Sequence, residues 1–181
     1  MSKKIGLIVG SLQKNSWNRK VAEVVQKLFP DGYEAEFIEI KDLPLFNEDF
    51  EKDLEEPESY APFREEVKEK DGIIFFTPEY NRTFTPAIKN AVDVGSRPYG
   101  KNVWDGKPAA VVSASPGTGG GMAANLGLRQ GLVCLNLILL QKPEVYLAQI
   151  HNSFAGGELS DRTKALLEQF VEAYIEHLNR F

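Results

Sequence analysis

At 181 residues the chain is long enough for one domain with a substantial core, and no Pro/Gly/Ser-rich linker divides it, so a single domain over residues 1–181 is expected. Hydrophobic residues at 43% and charged residues at 26% exclude a disordered or membrane-spanning chain. Lysine plus arginine total 21 against 26 acids, a net charge of −5, and no basic run is dense enough to track nucleic acid.

Met1-Ser2-Lys3-Lys4 leads into only a short apolar run, with neither a signal-peptide hydrophobic region nor a stretch that crosses a bilayer; the expected address is the cytoplasm. Ile5 to Val9 form that run. Gly10 to Asn18 supply a polar loop, and Val21, Val24, Val25 and Leu28 then repeat at helical spacing. Ser16 or Asn18 is placed to cap the helix, leaving N–H groups and the positive dipole end beside hydroxyls and amides, an anion site. Neither G-x-G-x-x-G nor G-x-x-x-x-G-K-[ST] is present, so a phosphate monoester suits the loop better than a pyrophosphate. A mononucleotide is the expected ligand, with a merely polar capping loop as the competing reading.

Asp31-Gly32 turns the chain into a second strand, Glu34 to Ile40. Asp42 to Pro57 is acidic and irregular without the spacing of an EF-hand, so a solvated face is expected, with Leu43 to Phe46 covering the core or meeting another subunit. Pro62 to Lys70 reads as a short helix with Phe63 and Val67 on one face. Ile73 to Phe76, after Asp71-Gly72, is a continuous apolar run of the kind buried on both faces in a parallel sheet. Thr77-Pro78-Glu79-Tyr80-Asn81 then leaves its carboxyl end. Thr85 before Pro86 supplies a hydroxyl cap and a first-turn proline, and Ile88, Ala91 and Val92 continue as a helix.

The loop from Gly95 to Gly106 carries Arg97, Tyr99, Lys101 and Trp104 and is expected at the surface, contact with a cofactor being the alternative. Pro108 to Ser113 is the next buried strand. It runs into Ser115-Pro116 and four glycines among residues 117–121, which either permit close backbone approach or form a plain flexible loop. Met122 to Leu135 reads as a helix in which Leu126 and Val133, with Leu137 beyond it, pack against another element while small residues outside admit a partner subunit. The single cysteine, Cys134, rules out an intrachain disulfide, and its apolar neighbours predict a buried thiol. Ile138 to Leu147 supplies the last strand, interrupted near Pro143. His151 and His177 have no partner at ligand spacing, so no metal is expected. Ser160 caps a final helix whose stripe of Leu167, Phe170, Val171, Tyr174 and Leu178 faces the core.

Five buried strands alternating with helices predict an α/β fold: a flavodoxin-like, doubly wound, five-stranded parallel sheet of order 2-1-3-4-5 with helices on both faces. In that order the loops after Val9, Phe76 and Ser113 converge on one crevice at the switch point.

Gly10-Ser11-Leu12 with Ser16-Trp17-Asn18-Arg19, and Thr77-Pro78-Glu79-Tyr80-Asn81 with Lys89-Asn90-Ala91 downstream, resemble the NAD(P)H-dependent FMN reductases, a flavodoxin-like group that includes chromate, quinone and azo reductases. The resemblance implies an enzyme that binds FMN, takes hydride from NADPH or NADH and passes electrons to a small-molecule acceptor such as a quinone, free flavin, azo or nitro compound or metal oxyanion. It further implies that Ser11, Gln13, Ser16, Trp17 and Asn18 surround the phosphate, that Pro78, Glu79, Tyr80 and Asn81 line the isoalloxazine and ribityl chain, and that Ser115 and Gly117 close the third side. No catalytic side chain is required, because the cofactor carries the chemistry. A homodimer or homotetramer is the implied assembly. Gln13 stands where the family commonly has arginine, so a charged phosphate contact becomes a neutral one. The alternatives are a flavodoxin-type FMN electron carrier without NAD(P)H turnover and a non-catalytic nucleotide-binding domain.

Overall fold

The computed structural model describes residues 2–154 and 157–181. The apolar runs become parallel strands: β1 (Lys3–Val9), β2 (Tyr33–Phe37), β3 (Gly72–Thr77) and β4 (Pro108–Ala114) lie in the order β2-β1-β3-β4, with the last strand beyond β4. The predicted order 2-1-3-4-5 is therefore observed. β3 and β4 are buried along their whole length, which is why their sequences are apolar without alternation. Successive side chains still point to opposite faces. Ile74 and Phe76 join the core beneath α1 (Trp17–Leu28) and the last helix, whereas Ile73 and Phe75 join the core beneath α2 (Tyr60–Lys68) and α3 (Pro86–Gly95).

The last strand is split, as Pro143 suggested. β5 (Ile138–Leu139) pairs with Pro108 and Ala109, and β6 (Val145–Leu147) pairs with Val112 to Ala114. Five residues between Leu139 and Val145 thus pass beside two of β4, Ala110 and Val111, because Pro143 has no N–H for the ladder and the excess chain loops away. The gap is filled from α4 (Met122–Cys134): the buried Asn125 amide donates to the Val111 carbonyl at 3.1 Å, and Arg129 donates to Leu140 O at 2.9 Å and to Asn125 Oδ1 at 2.9 Å. These bonds satisfy carbonyls that the interrupted ladder leaves open. Burial lowers the Arg129 guanidinium pKa.

A short α5 (Ile150–Ser153) was not foreseen, and α6 (Asp161–Leu178) buries the predicted stripe, Leu167, Phe170, Val171, Tyr174 and Leu178. Four other expectations need correction. Trp104 is fully buried against Phe63 and Phe75, donating from Nε1 to Val92 O at 2.9 Å, although Tyr99 in the same loop is exposed. Cys134 is exposed, and so are Leu126 and Val133. The helix turns Leu128 and Leu132 inward, and residues one or two positions away point elsewhere whatever their hydrophobicity. The acidic stretch is partly engaged, since a 3-10 turn at Glu48–Glu51 pairs with Arg97, and Glu56 pairs with the buried Arg64. Among the described residues no helix is long and apolar enough to cross a membrane.

Candidate active site

Three loops meet at the carboxyl edge of β1, β3 and β4. Gly10 follows β1, and its N–H donates to Phe76 O of β3 at 2.8 Å, while the Thr85 hydroxyl donates to Gly10 O at 2.8 Å and accepts from the Ile88 amide. Thr85 therefore caps α3, as predicted, and also pins the β1 loop to it. A side chain at residue 10 would meet Ile88 Cδ1 at 2.3 Å, so glycine sets this approach.

Ser16 caps α1, accepting from the Arg19 amide at 3.1 Å. The Trp17 and Asn18 amides precede the first intrahelical bond and face the cleft end of the helix. Asn18 is buried with both ends of its amide on one β4 residue: Nδ2 donates to Ala114 O at 3.0 Å and Oδ1 accepts from Ala114 N at 3.2 Å. Its side chain staples α1 to the rim. Trp17 stacks on Phe154 at 5.6 Å between ring centroids.

After β3, Pro78 and Glu79 lead into a two-residue hairpin in which Tyr80 and Thr83 exchange both backbone hydrogen bonds. Asn81 and Arg82 have φ of 50° and 67°, the left-handed pair that a type I′ turn requires. Tyr80 is thus held beside the cleft. Glu79 turns to α4, where its Oε2 accepts from the Ala123 and Ala124 amides at 3.0 and 3.2 Å. The α4 N-cap is Gly121, which has no side chain to offer, so Glu79 performs that task from another loop. On the third side, Ser115 Oγ accepts from Gly117 N at 3.0 Å. Of the two readings of the glycine run, close approach holds at Gly120, where a Cβ would lie 2.7 Å from the Tyr146 backbone, whereas Gly119 faces open space.

These loops enclose a cleft of about 310 Å³, within the range of small-molecule sites. Eight predicted residues line it: Ser11, Gln13, Trp17, Asn18, Pro78, Glu79, Tyr80 and Ser115, with Ala114 and Pro116 added by the fold. Three others lie outside the lining. Ser16 is buried beneath it as the helix cap, Asn81 sits at the exposed hairpin tip, and Gly117 is exposed with its carbonyl accepting from the Gln149 amide. The donor set suits a phosphorylated flavin: α1 amides, a hydroxyl and a neutral amide for the phosphate, then Pro78, Tyr80 and Pro116 beside a planar ring. Among the described residues no cluster of His, Cys, Asp or Glu could hold a metal.

Sequence reasoning missed a second cleft of about 350 Å³ on the other flank of the β1 loop, which shares Ser11 and Gln13 with the first. Arg19, Glu39 and Lys41 contribute to its wall. Its only signal in the chain is a pair of opposite charges just past β2.

A ligand cleft at the switch point of a parallel sheet of order 2-1-3-4-5 defines the flavodoxin-like class of mononucleotide-binding α/β proteins. Within that class the chain belongs to the NADPH-dependent FMN reductase family, whose sequence profile matches residues 3–152. A quinone reductase of Pseudomonas putida is 47% identical over 171 residues, 94% of this chain and 91% of that protein. A 2-hydroxy-1,4-benzoquinone reductase from Burkholderia is 35% identical over 176 residues, 96% of this chain and 95% of the relative. Among solved structures, FerB from Paracoccus denitrificans, described as a flavoenzyme NAD(P)H:(acceptor) oxidoreductase, matches with a TM-score of 0.89 at 38% identity, covering 98% of both chains. A flavodoxin from Pseudomonas aeruginosa shares the fold, with a TM-score of 0.59 at 16% identity over 95% of this chain and 99% of its own. The protein is accordingly an FMN-dependent oxidoreductase that uses NAD(P)H, and the electron-carrier alternative is disfavoured.

Proposed function

We propose that the protein catalyses the reduction of quinones by NAD(P)H, with FMN held where the β1, β3 and β4 loops meet. The observation that carries this is the convergence of eight predicted residues on one cleft, together with 47% identity to a quinone reductase. When bound, FMN supplies the hydride chemistry that no side chain here provides. The chain's own part is binding and orientation. Ser11, Gln13 and the first α1 amides take the phosphate, Asn18 and Ser16 hold those amides in place, and Pro78, Tyr80 and Ser115 border the ring, with Gly117 outside the lining donating its N–H to Ser115 Oγ. Asn81 acts through the turn that presents Tyr80, and Glu79 sets α4 against the cleft.

The test is steady-state NAD(P)H oxidation by FMN-reconstituted protein with 1,4-benzoquinone, alongside its visible spectrum. Quinone-dependent turnover with a bound-flavin spectrum is expected. A flavin spectrum without turnover refutes the enzyme reading, and no flavin binding refutes the site. The assembly we infer is a homodimer or homotetramer in the cytoplasm. Met122, Leu126 and Val133 leave an apolar stripe, 49%, 46% and 61% exposed, on α4 beside the cleft, and the exposed Cys134 thiol suits a reducing compartment. Light scattering on a sizing column checks the assembly; a monomer refutes it.

A further inference from the structure

Arg82 occupies a backbone position that disfavours it. In a two-residue type I′ turn both central residues take positive φ, and glycine is the common choice at the second; here that residue is Arg82, with φ of 67°. A long side chain held in the left-handed region is a local cost, and such residues concentrate at binding sites. The hairpin that carries it is anchored at both ends. Tyr80 and Thr83 exchange backbone hydrogen bonds at 2.9 and 3.0 Å, and Phe84 rests on α4, where a Cβ at Gly127 would meet its ring at 3.7 Å. The tip is therefore presented at a fixed place on the rim of the flavin cleft, two residues from Tyr80 in its wall.

The charge Arg82 carries there is not consumed within the chain. Its ion-pair partner Glu79 stands 3.9 Å away, beyond hydrogen-bonding distance. Glu79 Oε2 instead accepts from two α4 amides, whose helix dipole offsets the carboxylate. Among the described residues no lysine or arginine lines the cleft itself. Arg19 is paired with Glu39 at 2.7 Å on the other flank of the β1 loop, and Lys20 lies over the Trp17 ring at 4.4 Å. An acceptor arriving at the Tyr80 edge thus meets Arg82, on a chain whose net charge of −5 repels anions elsewhere.

We propose that Arg82 selects acceptors that carry a negative charge: quinones bearing a sulfonate, a carboxylate or an ionised hydroxyl. The guanidinium fork holds the anionic substituent at the rim while the ring enters beside Tyr80. The overall reaction is unchanged: the quinone takes up two electrons and two protons to become the hydroquinone, NAD(P)H giving a hydride and solvent the second proton. The inference rests on the reading that quinones are reduced at this cleft.

The test uses the FMN-loaded full chain with 1,4-naphthoquinone-2-sulfonate and with uncharged 1,4-naphthoquinone, in wild type, Arg82→Gly, Arg82→Lys and Arg82→Glu. The quantity read is the ratio of kcat/KM for the sulfonate to that for the neutral quinone, compared between variants so that the difference in quinone potential cancels. Glycine suits φ of 67°, so Arg82→Gly removes the charge and keeps the turn. At about 0.01 M ionic strength the ratio is expected to fall about fourfold in Arg82→Gly and about tenfold in Arg82→Glu, and to stay within about twofold of wild type in Arg82→Lys; at about 1 M salt the differences vanish. A second readout needs no turnover: without donor, the Kd of the sulfonate for the oxidised holoenzyme, followed by perturbation of the flavin spectrum, is expected to rise about fourfold in Arg82→Gly and to recover in Arg82→Lys. An unchanged ratio, a parallel fall with both quinones, a fall that salt does not remove, or equal losses in Arg82→Gly and Arg82→Lys overturn the proposal while leaving the reductase reading intact. Absence of turnover with either quinone in wild type would instead overturn that reading.

Discussion

Replacing Glu79 with alanine tests how the cleft is joined to α4. The carboxylate accepts from two α4 amides and is only 18% exposed, and Gly121 provides no substitute cap. Losing a cap costs about 1 kcal/mol, and burying charged hydrogen bonds that are then broken raises the figure, so about 2 kcal/mol of stability is expected to go. The ion pair with Arg82, at 3.9 Å and with Arg82 88% exposed, adds little. Glu79→Gln keeps an oxygen acceptor but loses the charge that complements the helix dipole, and should cost about 1 kcal/mol. Urea unfolding of flavin-free protein, followed by far-ultraviolet circular dichroism, reads both. With m of about 2 kcal/mol/M the alanine variant's midpoint falls by about 1 M at unchanged m. An alanine variant within about 0.5 kcal/mol of wild type would refute the capping argument.

Asn125→Ala leaves the Val111 carbonyl and Arg129 without their buried partner, at a cost of about 2–3 kcal/mol in the same urea assay; a loss below about 1 kcal/mol would show that the split ladder does not need the amide. Asn81→Gly suits φ of 50° and should leave FMN affinity unchanged, whereas Asn81→Ala strains the turn by about 1 kcal/mol and weakens flavin binding. Equal weakening in a dialysis titration of both variants would place the Asn81 side chain itself on the flavin. Glu36 bonds the buried Lys70, a hydrogen bond and charge that hold its carboxyl below the usual carboxylate range. Its contribution is present above the unfolded pKa, about 4.5, and is lost as pH falls through the lower folded value. The stability gap between wild type and Glu36→Gln should therefore shrink on acidification from pH 7 to about 3, and a constant gap would exclude this linkage.

Much of the fold was legible in the chain because local patterns decide it. A continuous apolar run such as Ile73 to Phe76 has to be buried on both faces, strands of that kind need helical crossovers, and Ser16 and Thr85-Pro86 mark helix starts wherever the helices pack. Strand order then brings the loops after β1, β3 and β4 together, and the family resemblance supplied the names of the residues on them. The destinations of the polar side chains could not. Asn18 bonds Ala114, Asn125 bonds Val111, and Glu79 caps α4, each across 14 or more positions of sequence. Which backbone groups remain unpaired depends on where the ladder breaks and which helix end abuts which loop, and those facts exist only after packing. The same reason governs Trp104 and Cys134, one drawn into the core beside Phe63 and Phe75, the other left outside by the turn of α4. Periodicity along the chain determined the strands and helices, and their alternation with the chain's length pointed to the sheet order and so to the site's location; tertiary contact decided which residues face the ligand and which hold the walls, because hydrogen-bond satisfaction is settled between elements rather than within them.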